Sequence, residues 1–277
     1  MTTFTTSDGT TLSYELHHPD GTRPPVLLVM GLMFPGRAWR FVLPHLDPAR
    51  PVAWFDHRGA GSSDAPEHAK VPYSMARMAK DAVELMDQLG WREAHVVGIS
   101  MGGMVAQHIA LEHGARVRSL TLMATHAGGA ANRVPSLPGA WHFVRSLLTK
   151  GPARYRAMAH LLFPRAFREQ IGQAWIEDVL SQDLQPKPRK AGRQGQLRAV
   201  LGHDTRHRLG ELGRVPTLVV SPGQDLLVRP KTTAALHRGI PGAALLPLPE
   251  AGHGLIRQSG ETLGRALNEH FARAEAR

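Results

Sequence analysis

Apolar residues gather into short continuous runs closed by turn residues, at positions 25–30, 51–55, 94–99, 120–123, 215–220 and 243–246. Runs of this kind predict strands covered on both faces of a parallel sheet. Residues 10–17 alternate instead, which predicts a strand with one wetter face. Between the runs the period changes to that of a helix. Met75, Met78, Ala79, Ala82, Met86 and Leu89 share one helical face, with Ser74 placed to cap its start and Gly90 to close its end. Residues 101–113, 230–238 and 261–273 predict three more helices. The alternation predicts an α/β fold, a mostly parallel central sheet flanked by helices.

The alternation stops between about residues 126 and 212. A Gly/Pro/Asn-rich loop over 128–139 opens this stretch, and helical patterns follow at 141–148, 153–162, 167–184 and 194–203. No strand pattern is legible there. The expected organisation is a core of residues 1–125 and 213–277 interrupted by a helical insertion at 126–212.

Composition narrows the class. With 277 residues, 42% of them hydrophobic and 20% charged, the chain can bury a sizeable core and is not disordered. No apolar run approaches the roughly 20 residues of a membrane span, and the first residues show neither the basic start nor the apolar stretch of a signal peptide. The absence of Cys excludes disulfides, thiolate metal sites and a cysteine nucleophile. A cytoplasmic protein is expected, with no membrane partner and a homodimer as one option for its assembly.

The net charge of +10 raises the question of nucleic acid. Its location answers much of it: Arg133 to Arg214 carry 15 Lys/Arg against 6 Asp/Glu, and the remainder is close to neutral. No nucleic-acid-binding motif accompanies the excess. A solvated Arg-rich helical surface is the simpler reading, and no specific nucleic-acid partner is expected.

The candidate chemistry begins at Gly98-Ile99-Ser100-Met101-Gly102, a G-x-S-x-G sequence that closes one apolar run and opens a helix. A serine on so sharp a strand-to-helix turn needs small neighbours, and the helix start adds free N–H groups beside its hydroxyl. A neutral serine needs a base held by an acid. Asp225 follows the run at 215–220, and His253, in Gly252-His253-Gly254, follows the run at 243–246. Both therefore fall in loops beyond strand carboxyl ends, where open α/β sheets place their ligands. Glu250 is a rival acid but lies too close in sequence to His253 to reach the far side of its ring easily. For a developing oxyanion, the backbone N–H groups of Met101 and Leu32 are the candidates.

The chain resembles the α/β-hydrolase superfamily from Thr10 to about Phe271. The resemblance rests on Met30-Gly31-Leu32, Asp56-His57-Arg58-Gly59-Ala60-Gly61-Ser62-Ser63, Gly98 to Gly103, Gly223-Gln224-Asp225 with Arg229-Pro230, and Gly252-His253-Gly254. It is similar to serine carboxylesterases, 3-oxoadipate enol-lactonases, cofactor-free haloperoxidases and polyketide methylesterases. The segment from Asp56 to Ser63 is a structural fingerprint of that superfamily. Many relatives carry His-Gly where this chain has Met30-Gly31, and that His usually braces the oxyanion loop. Haloalkane dehalogenases and epoxide hydrolases have Asp where Ser100 stands, which sets them aside. The resemblance also makes the insertion a cap over the site, with Met33, Trp141 and Phe163 as expected substrate-binding residues.

These readings together predict a serine esterase that cleaves a small to medium, largely apolar carboxylic ester through an acyl-enzyme, with no cofactor and no metal. The same three residues would serve C–C hydrolysis, lactone opening or perhydrolysis. A non-catalytic, receptor-like binding protein of this fold is the third alternative.

Overall fold

The apolar runs become the inner strands of one eight-stranded sheet. In the computed structural model, residues 2–66, 73–129, 135–185 and 189–277 are described. The strands are β1 (Thr2–Thr5), β2 (Thr11–His17), β3 (Val26–Val29), β4 (Val52–Phe55), β5 (Ala94–Ile99), β6 (Val117–Met123), β7 (Thr217–Pro222) and β8 (Ala244–Leu248). They lie in the order β1-β2-β4-β3-β5-β6-β7-β8. From β4 to β8 every pairing is parallel, while β1 and β2 add an antiparallel edge. β3, β4 and β5 are buried throughout, the consequence of helices on both faces. β8 departs from that expectation: it ends the sheet and is largely exposed or half-buried.

One face is packed by α1 (Met75–Gln88), α2 (Met101–Glu112) and α8 (Pro230–Gly239), whose apolar residues join the strands in one core cluster. The other is packed by the short 3₁₀ segments around Trp39 and Val42, by α9 (Leu255–Gln258) and by α10 (Gly260–Glu275). α1 starts and stops as its sequence predicts. Ser74 Oγ accepts from the N–H of Arg77, and Gly90 takes a φ of +69° just past the helix.

Between β6 and β7 come α3 (Leu137–Leu148), α4 (Gly151–Leu162), α5 (Arg165–Ile171), α6 (Gln173–Asp183) and α7 (Lys190–Gly202). They bury an apolar cluster of their own around Leu161, Phe163, Ile176 and Leu180. The single helix predicted over 167–184 is two helices, because Gly172 between them turns to a φ of +85°. Of the loop predicted over 128–139, residues 130–134 lie outside the described residues, and α3 begins within its end, at Leu137. Among the described residues no helix is long and apolar enough to cross a membrane.

The turn after β4 is tied into the core. Asp56 accepts from the N–H groups of Gly36 and Ser62. Arg58, fully buried, meets Asp81 through two hydrogen bonds of 2.7 Å and Asp8 through a third of 2.9 Å. A buried guanidinium persists only with its donors satisfied in this way.

Candidate active site

Ser100 stands between β5 and α2 with φ +56° and ψ −121°. A non-glycine residue held there is strained, and its neighbours must hold it. They do so by close approach. A Cβ on Gly102 would lie 2.1 Å from the carbonyl oxygen of Val29, so only glycine lets α2 start this near β3. The Ser100 N–H donates to the Met123 carbonyl at 2.9 Å, and the Ser100 carbonyl accepts from Thr125 Oγ1 at 2.8 Å. The hydroxyl is thereby presented above the carboxyl ends of the central strands.

Two later loops reach it. His253 Nε2 lies 3.0 Å from Ser100 Oγ, and His253 Nδ1 lies 2.7 Å from Asp225 Oδ2. A carboxylate only accepts, so Nδ1 carries the ring proton and Nε2 is left to accept from the serine hydroxyl. The other Asp225 oxygen accepts from the N–H groups of Leu227, at 2.7 Å, and Val228, at 2.9 Å, which fixes the carboxylate. Asp225 and His253 are buried and Ser100 is half-buried. Glu250, the rival acid, accepts instead from Gln224 at the surface.

The loop after β3 closes against the serine. A Cβ on Gly31 would lie 3.3 Å from Ser100 Cβ, which sets the backbone around Leu32 beside the hydroxyl. Met101 opens α2, where first-turn N–H groups have no partner within the helix. Leu32 and Met101 both line the cavity described below.

Two residues that the sequence did not flag hold this loop. His57 is fully buried, and its Nε2 donates to the Met30 carbonyl at 3.0 Å. Burial pushes its pKa down to about 4, so the ring is neutral. It supplies from the turn after β4 a brace for the Met30-Gly31 turn. Gln196, also fully buried, accepts from the Met33 N–H at 2.9 Å and donates to the Arg58 carbonyl at 2.9 Å. It reaches both because Gly192 lets α7 touch Gly59; a Cβ on Gly192 would lie 2.4 Å from the Gly59 Cα. Glycines inside a helix are costly, and Gly192 and Gly195 were the signal in the sequence that something approaches there.

Above Ser100 and His253 opens a cavity of about 460 Å³. Its walls are mostly apolar and come from the β3 loop, from α2 and from α3, α4 and α7. Met33 lines it. The expectation for Trp141 and Phe163 needs correction, because neither lines it. Trp141 is 64% exposed on α3, where Leu137 and Leu148 are exposed as well. Phe163 is buried against Phe167, and a Cβ on Gly254 would lie 2.5 Å from its ring. With the Leu162 carbonyl accepting from the Gly254 N–H at 2.8 Å, it packs the loop that carries His253. Among the described residues no three His, Asp or Glu side chains gather as a metal site would require.

This arrangement pairs a serine hydroxyl with an imidazole and a fixed carboxylate at the floor of an apolar cavity. The alpha/beta hydrolase fold family matches residues 24–256 of the chain. RutD of Azorhizobium caulinodans, a protein named as a carbamate hydrolase, is 32% identical over 87% of this chain and 88% of its own length. A poly(3-hydroxyalkanoate) depolymerase of Ectopseudomonas oleovorans is 32% identical over 80% of this chain and 75% of its own. Among solved structures, the enol-lactonase of Burkholderia xenovorans superposes with a TM-score of 0.81 at 26% identity, covering 98% of this chain and 100% of that one.

Proposed function

The chain belongs to the alpha/beta hydrolase family, and on that premise we propose that it is a serine hydrolase cleaving a carboxylic ester of a small to medium, largely apolar substrate through an acyl-enzyme. The observation that carries this reading is the unbroken chain of contacts from Asp225 through His253 to Ser100 at the floor of the cavity. Ser100 Oγ attacks the ester carbonyl while His253 Nε2 takes its proton. Asp225 holds the ring and stabilises the imidazolium. The N–H groups of Leu32 and Met101 receive the oxyanion. The tetrahedral intermediate collapses as His253 returns the proton to the leaving alkoxide. Water, deprotonated by the same ring, then releases the acid and restores Ser100.

In this reading residues 126–212 are a cap over a core of residues 1–125 and 213–277. The cap supplies the roof of the cavity and the core supplies the reacting groups.

A second reading keeps the same residues and changes the bond. The relative named as a carbamate hydrolase matches over most of its length, and a carbamate carbonyl is attacked in the same way. The enol-lactonase match favours lactone opening on the same footing. C–C hydrolysis and perhydrolysis use the same triad. A panel of matched ester, carbamate, enol-lactone and C–C substrates separates them. The test of the shared step is Ser100→Ala: turnover of 4-nitrophenyl butyrate should fall by roughly 10³-fold or more, and activity retained at the parent level would defeat the proposal.

A further inference from the structure

Among the described residues, the cavity wall carries one positive charge that no neighbouring side chain answers. Arg154, on α4, is half-buried and lines the cavity on the side formed by the helical segment. The other polar side chains of the wall are engaged. Ser100 meets His253, and His126 Nδ1 accepts from the Gly128 N–H. Ser146 donates to the Phe143 carbonyl, and Arg257 pairs with Asp183. Among the described residues Arg154 makes neither an ion pair nor a hydrogen bond, and its Nε is sealed from water without a partner. Burial lowers its pKa, and a second cation, Arg193 of α7, pushes the same way. A guanidinium nevertheless stays charged at any working pH.

An unpaired cation against an apolar wall is unfavourable unless an anion arrives. The planar guanidinium matches a carboxylate in charge and in hydrogen-bond geometry. We propose that Arg154 receives a carboxylate of the substrate, so that the site takes esters, carbamates or lactones bearing an anionic carboxylate at a distance from the scissile bond along an otherwise apolar chain. This rests on the serine-hydrolase reading above and narrows its substrate class.

The test compares kcat/KM for 4-nitrophenyl half-esters of dicarboxylic acids, from succinic to suberic, with neutral branched isosteres of equal length. The parent protein should favour the half-ester by about 30-fold or more at the chain length that spans Ser100 to Arg154. Arg154→Met should bring that ratio close to one, and Arg154→Lys should restore part of it. A ratio at or below one throughout the series in the parent protein overturns the proposal whether or not the variants fold. So does a preference that survives Arg154→Met. If the ratios fail while Ser100→Ala remains inactive, only the carboxylate site is lost. Turnover by Ser100→Ala removes the serine-hydrolase reading instead.

Discussion

Gln196 accepts a hydrogen bond from the backbone N–H of Met33 at 2.9 Å, so a helix of the inserted segment grips the loop that closes over Ser100. Its other end donates to the Arg58 carbonyl, and the side chain is fully buried. Gln196→Leu removes both bonds and leaves the buried Arg58 carbonyl and the half-buried Met33 N–H without this partner. We expect kcat to fall about 10- to 100-fold with little change in KM, because an oxyanion donor moved by a fraction of an ångström acts chiefly on the transition state. Affinity for a trifluoromethyl ketone that forms a tetrahedral adduct should weaken in step with kcat/KM. A rise in KM alone would mean that Gln196 shapes the cavity and does not hold the loop.

Asp225 selects the tautomer of His253. Asp225→Asn keeps size and shape but replaces the acceptor facing Nδ1, so the ring proton moves to Nε2 and the acceptor for the serine proton is lost. The expected loss in kcat is roughly 10⁴-fold at neutral pH, with an unchanged far-ultraviolet circular dichroism spectrum. A loss below about tenfold would show that the carboxylate does not set the state of the ring.

Acid should unfold the protein from within. Burial pushes the pKa of His57 and His270 down to about 4 and that of His203 to about 3, although each ring has a backbone carbonyl as partner. In the unfolded chain these rings titrate near 6.5. Between 6.5 and about 4 the unfolded state therefore binds more protons. The stability from neutral burial is present above pH 6.5 and is lost as the pH falls toward 4. Each ring should remove roughly 1–2 kcal/mol by pH 5. Urea midpoints at pH 7.5 and pH 5 measure this, and an equal or higher midpoint at pH 5 would contradict it.

Much of the site was legible because its residues sit at punctuation. Ser100, Asp225 and His253 each follow an apolar run and lie among turn residues, and strand ends are where an open sheet exposes side chains. Gln196 was not legible, since its role depends on α7 crossing the turn at Gly59, a contact between residues far apart in sequence. Trp141 and Phe163 misled for a related reason. An aromatic on an amphipathic helix can face solvent, cavity or helical core, and periodicity alone does not choose among them. In α3 Leu137, Trp141 and Leu148 turn outward, while Val144 lines the cavity. β1 escaped notice because Phe4 is its one buried residue, which leaves no pattern to read.

The central claim is that Ser100 is the nucleophile, activated by His253. Its most direct test is mass spectrometry of the protein after reaction with an uncharged aryl phosphonate. A single adduct should form, map to Ser100, and disappear in both Ser100→Ala and His253→Ala. An adduct on another residue, or an undiminished rate of labelling without His253, would contradict the account.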